Sequence, residues 1–172
     1  VNVVDEETYA YINDRGSVVT NGILDLSSAN DTTLWSLAGS VAVSLKGEKT
    51  SLGIAGSISA NVIDNETQAF VSGTTLDAAS LSLLADQKGG IRSLTAAGSG
   101  APLKEGIAVA GSISVNVVID TAEAYLSGVT ATLDESSSIK AHNESQVWAI
   151  GGALAYGGKG GIGVGIAVNV MG

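Results

Sequence analysis

The sequence predicts an all-β protein, a parallel β-solenoid built from about three repeats of 53–59 residues, on three observations. The segments GIAGSISANVIDNETQAFVSG (53–73) and GIAVAGSISVNVVIDTAEAYLSG (106–128) are copies of one another, with partial copies VNVVDEETYAYI at 1–12 and GIGVGIAVNV at 161–170. Asn2, Asn61, Asn116 and Asn169 anchor the register at spacings of 59, 55 and 53 residues, and an Ala-aromatic-aliphatic triplet follows each of the first three (Ala10-Tyr11-Ile12, Ala69-Phe70-Val71, Ala124-Tyr125-Leu126). The Gly-Ala-Ser stretches alternate with a period of two, as strands do. A repeat of this length buries no core alone, so stacked neighbours must share one.

The repeats run approximately 1–52, 53–105 and 106–160, with a partial fourth at 161–172, and together make a single solenoid segment over 1–172. Val168-Asn169-Val170 repeats Val1-Asn2-Val3, so the chain reads as a window of a longer one. With two to three coils per repeat at about 4.8 Å each, the expectation is about six to nine coils and a rod about 30–45 Å long.

Each copy opens with the alternating strand. Along 107–117, Ile107, Val109, Ile113, Val115 and Val117 share one face and Ala108, Ala110, Ser112, Ser114 and Asn116 the other. The aliphatic face is expected to point to the core. The small-residue face, chiefly Ala55, Ser57, Ala108, Ala110, Ser112, Gly163 and Gly165, never carries a long charged side chain. It is expected to be a contact surface, closely covered by another sheet of the same chain or by a neighbouring chain. Shorter strands follow: the aromatic triplet, then 74–76 or 129–133, then 81–85 or 139–141, then 34–42, 91–97 or 147–155. Turn signals separate them at Ser72-Gly73, Ser127-Gly128, Asn13-Asp14-Arg15-Gly16, Asn21-Gly22, Lys46-Gly47-Glu48-Lys49, 98–102 and the glycine-rich run 151–165. No stretch has a capped 3.6-residue apolar period, so little helix is expected.

Composition narrows the function. With 45% hydrophobic residues but only 4% aromatics, and 23 Gly against one Pro, the core is thin and built of small side chains. There is no Cys, hence no disulfide framework and no thiolate metal site. A net charge of −9 repels nucleic acid and anionic membranes. Membrane insertion is not expected either, because 2 Trp, 4 Tyr and 1 Phe do not make the two aromatic girdles of a barrel.

Candidate chemistry is sparse. His142, the single histidine, has no second His or Cys nearby in sequence to complete a metal site. Asp5, Asp64 and Asp120 fall in acidic clusters just after the Asn anchors, at turns taken to be equivalent. Turn chemistry accounts for such residues, and a stacked column of them could also gather weakly bound calcium through oxygen ligands. No other cofactor is expected. The run GGKGGIGVG (157–165) lacks the Ser or Thr after GK that a P-loop needs and the Asp of a calcium-binding nonapeptide. Sequons begin at Asn30, Asn65 and Asn143. No catalytic residue stands out.

The succession GIAVAGSISVNVV, AEAYLSG, SSSIKAHNES and AIGGALAYGGKGGIGVGIAVNV resembles the repeat region of large secreted bacterial filamentous adhesins, the leukotoxin-like and filamentous-haemagglutinin-like surface proteins. The resemblance covers nearly the whole chain. It implies a parallel β-solenoid, export to the cell surface, and a non-enzymatic role as fibre, stalk or adhesive body, and it carries no catalytic residues. The expected function is therefore a structural repeat segment of a long extracellular bacterial fibre or surface adhesin, giving length, rigidity and lateral or cell-surface contact. Expected partners are further copies, through self-association into fibres or bundles, and a host-surface or polysaccharide ligand. Two alternatives are a polysaccharide-binding or polysaccharide-processing β-helix and a segment of an outer-membrane barrel.

Overall fold

A computed structural model describes residues 1–13, 16–45 and 50–172. The turn signals at Asp14-Arg15 and Lys46-Gly47-Glu48-Lys49 lie outside the described residues. Among the described residues ten strands follow one another: β1 (Asn2–Asn13), β2 (Ser17–Val19), β3 (Ile23–Val43), β4 (Leu52–Ser72), β5 (Thr75–Ala78), β6 (Ser80–Ala101), β7 (Ile107–Ser127), β8 (Thr130–Leu133), β9 (Ser138–Gly157) and β10 (Gly160–Met171). Among the described residues there is no helix. All pairing is parallel, in three sheets of order β1-β4-β7-β10, β2-β5-β8 and β3-β6-β9. The chain is thus a parallel β-solenoid with three strands per turn; an outer-membrane barrel would need antiparallel strands closed on themselves.

The coil count differs from expectation. Asn2 pairs with Asn61, Asn61 with Asn116 and Asn116 with Asn169, so the pairing offset is the sequence repeat itself and each repeat makes one coil, not two or three. The reason lies in residues that resemble breaks and are not. Asp64-Asn65-Glu66 sits inside the 21-residue β4, and Asp86-Gln87-Lys88 inside the 22-residue β6. Parallel neighbours satisfy the backbone at those positions, so their polar side chains need no turn. The expected rod becomes a plate. A 21-residue strand spans at most about 70 Å, whereas the four strands of the first sheet stack to only about 14 Å.

The corners follow the glycines only in part. Gly73 and Gly128 adopt φ of 63° and 62°, the only positive values among the described residues, and turn the chain from β4 into β5 and from β7 into β8. The left-handed conformation is nearly free for glycine and costly for other residues. The signal at 98–102 is mostly strand: β6 continues to Ala101 and ends before Pro102, which has no N–H to offer the ladder. Most of 151–165 is strand as well, in β9 and β10.

Between the two long sheets the interior changes along the strand direction. Nearest the short sheet is an aliphatic cluster of Leu26, Val71, Leu76, Leu81 and Leu83. A polar layer with Asn65, Thr67 and Gln87 comes next, then Leu34, Ile63, Ile91 and Val118. Beyond these lie the buried asparagines and serines, and last an alanine cluster of Ala55, Ala97 and Ala110. From the Leu34 cluster onward side-chain volume falls, through Asn and Ser to Ala, and the two long sheets converge. At the narrow end a Cβ on Gly163 would stand 2.6 Å from the Ala153 carbonyl, and one on Gly165 would stand 2.5 Å from that of Gly151. Glycine is required there because two backbones touch.

This taper inverts the expected facing. Ala55, Ser57, Ala108, Ala110 and Ser112 are buried, while Ile54 and Ile58 are 65% and 75% exposed. The alternation was legible but its direction was not, because the opposing strands offer Ala and Ser rather than space for Ile. The small-residue face is covered by the third sheet of the same chain.

Candidate functional site

The asparagine anchors form a ladder through the interior. Asn2 Nδ2 donates to Asn61 Oδ1 at 2.8 Å, Asn61 to Asn116 at 2.7 Å, and Asn116 to Asn169 at 2.9 Å. Asn61 Nδ2 also reaches Ser59 Oγ at 3.0 Å, and Asn116 Nδ2 reaches Ser114 Oγ at 3.2 Å. Both central residues are fully buried, where unpaired amides would be costly. On the outer side of the same sheet Tyr11, Phe70 and Tyr125 stack with centroids 5.3 and 5.0 Å apart. These ladders join coil to coil and present no reactive group.

The expected column of acids does not form. Asp5 pairs with Asp64, but Asp64 pairs with Ile119 in the next coil. Asp120 lies one residue further on, pairs with Asn65 and points inward, where its carboxylate accepts from Ser145. Asp64 follows its Asn anchor by three residues and Asp120 by four, which in a strand means opposite faces. Among the described residues no group of three or more His, Cys, Asp or Glu could hold a metal ion. His142 is exposed, 3.8 Å from Glu144. Two sequons are closed by folding: Asn30 and Asn65 are buried.

What the coils do assemble is outside. On the first sheet the half-strands 52–62, 107–117 and 160–170 contain no charged residue. Their outward rows are Ile54–Val109–Ile162 and Ile58–Ile113–Ile166, with Gly56–Gly111–Val164 forming a trough between them. On the outer face of the third sheet a groove of about 890 Å³ opens over the stretch backed by Leu34 and Ile91. Its rows, in register, are Asp31–Lys88–Glu144, Thr33–Gly90–Gln146, Trp35–Arg92–Trp148 and Leu37–Leu94–Ile150. Trp35 and Trp148 are 71% and 69% exposed. The Arg92 guanidinium lies 4.9 Å from the Trp35 ring centroid and has no carboxylate partner among the described residues. Lys88 bonds Asp86 at 2.8 Å, and that hydrogen bond and the Asp86 charge hold its ammonium above the ordinary value.

Sequence reasoning did not single out Trp35, Arg92 or Trp148. The signal was their spacing, 92 − 35 = 57 and 148 − 92 = 56, which puts all three at one point of the coil once a repeat is known to make a single turn. No protein-family model matches the chain, and no curated protein or solved structure matches it.

Proposed function

We propose that this chain is a structural repeat segment of an extracellular bacterial fibre or surface adhesin, non-enzymatic, working through broad rigid faces that pair laterally. The sequence resemblance to filamentous adhesins supports the setting. Geometry favours breadth over length: one repeat of about 55 residues adds only about 4.8 Å along the axis, while each long face is up to about 70 Å broad along its strands. Fully paired coils, with amide and aromatic ladders linking them, supply stiffness.

The observation that carries the reading is the uncharged aliphatic outer face of β4, β7 and β10. Soluble monomers rarely expose contiguous apolar surface of this kind without using it. Three half-strands of about eleven residues cover about 500 Å², so two copies packed face to face bury about 1,000 Å², the lower bound for a specific interface. The ridges of Ile54 and Ile58 and the glycine trough between them are self-complementary, as a two-fold contact requires.

Sedimentation velocity and negative-stain microscopy test this reading. The expected result is concentration-dependent association into ribbons, abolished in the double variant Ile58→Lys, Ile113→Lys, which keeps its β-sheet circular dichroism. A wild-type chain that stays monomeric, or a double variant that associates like wild type, overturns it.

A further inference from the structure

We propose that the groove on the outer face of the third sheet is a binding site for an uncharged oligosaccharide lying along the solenoid axis across Trp35, Arg92 and Trp148. The inference goes beyond the structural role and holds whether or not copies associate through the first sheet.

The two indoles stand two strands apart, about 10 Å, which is roughly the length of two pyranose rings. Leaving both exposed gives up apolar burial unless something lies on them. The C–H face of a pyranose is apolar and slightly positive and complements the negative face of an indole; Arg92 lies over one face of Trp35 and leaves the other for a sugar. Gly90 leaves the row beside the indoles without a central side chain, and a Cβ there would run into the carbonyl of its in-sheet partner Gln146, so only glycine fits.

The polar groups select among ligands. A sugar hydroxyl both donates and accepts, and the groove offers Arg92 as donor and Asp31 and Glu144 as acceptors within four residues along the strands. The formal charges of Asp31, Lys88, Arg92 and Glu144 cancel. With the net charge of −9, that balance disfavours nucleic acid and acidic glycans. A peptide would seek an unpaired strand edge, whereas this groove lies on the face of a sheet whose central strand is paired on both sides.

Intrinsic tryptophan fluorescence with isothermal titration tests the site on the whole chain. The probes are cellotetraose, xylotetraose, mannotetraose and tetra-N-acetylchitotetraose, with tetragalacturonate as the acidic counterpart, each at millimolar concentration. At least one uncharged probe is expected to bind saturably and tetragalacturonate not to bind. Trp148→Ala and Arg92→Gln, both at exposed positions and checked by circular dichroism for folding, should each weaken binding about tenfold. Leu154→Thr, on the same face outside the groove, should leave it unchanged. Failure of every uncharged probe, equal or tighter binding of tetragalacturonate, or unaltered affinity in folded Trp148→Ala overturns the proposal.

Discussion

Asn61 and Asn65 sit four residues apart on the same inward face of β4 and are in opposite situations. Asn61 accepts from Asn2 and donates to Asn116 and Ser59, whereas neither polar atom of the buried Asn65 side chain has a partner among the described residues. Removing a bonded amide strands its neighbours; removing an unbonded one relieves a desolvated group. Asn61→Ala should therefore cost about 3 kcal/mol in urea denaturation, since it orphans amide groups on both sides. Asn65→Val should leave the midpoint unchanged or raise it, and equal losses in the two variants would refute the distinction. Tyr9 supplies a pH signature on the outer side. Partial desolvation and the hydrogen bond that it donates to Glu66 at 3.0 Å push its phenol from 10.0 up to about 12. The folded state holds this proton more tightly, so its contribution is intact below pH 10 and is lost as pH rises towards about 12. Tyr9→Phe should flatten that alkaline decline in denaturation curves recorded across the window.

The corners and the narrow end govern the elements. Gly128 turns β7 into β8 at φ of 62°, and a Cβ there would meet nothing nearer than 3.9 Å. The expected cost of Gly128→Ala is thus conformational alone, about 1–2 kcal/mol by thermal or chemical melting. Gly165 is the reverse case, crowded rather than twisted. Gly165→Val should lift β10 from β9 while β4 and β7 stay paired, visible as selective loss of hydrogen-exchange protection in β10; uniform protection would contradict the close approach. These elements also show what a sequence discloses. Register was legible at the asparagines and the aromatic triplets, which recur in phase with the hydrogen-bonded pairs, but not at the acids between them, where Asp64 and Asp120 are offset by one residue. Strand length was not: Asp64-Asn65-Glu66 looks like a turn, and only the neighbouring coils reveal that its backbone is paired. Facing was inverted for a related reason. Period-two alternation distinguishes two faces but does not name the inner one, which depends on how far away the opposing sheet lies. The Trp35–Arg92–Trp148 row needed the coil length, since nothing local joins residues 57 and 56 positions apart.

At the scale of the whole molecule, a single repeat per coil determines how the chain must fold. Neighbours in the ladders are separated by 53 to 59 residues in the long sheets, about a third of the 172-residue chain. Among the described residues no strand pairs with the next strand in sequence, so the long-range ladders offer no hairpin as a local nucleus. Loop closure over such distances must precede any stabilising contact, and folding rates fall steeply as contacts become non-local. Even the slow all-β class, with contact separations of about a fifth of the chain, folds in milliseconds to seconds. Refolding of this chain from urea should therefore take seconds or longer in stopped-flow fluorescence of Trp35 and Trp148. During that time the aliphatic edges of β4 and β7 are exposed, so the refolding yield should fall as protein concentration rises. Adding a second structural lesion would not separate topology from stability, but a graft of the coils in register would. A variant carrying one more copy of residues 106–158, inserted before residue 159 so that the 53-residue offset is kept, should gain stability through the added interface, while its first coils close no faster. Complete refolding within milliseconds, at any concentration, would mean that the coils nucleate by contacts other than the parallel ladders.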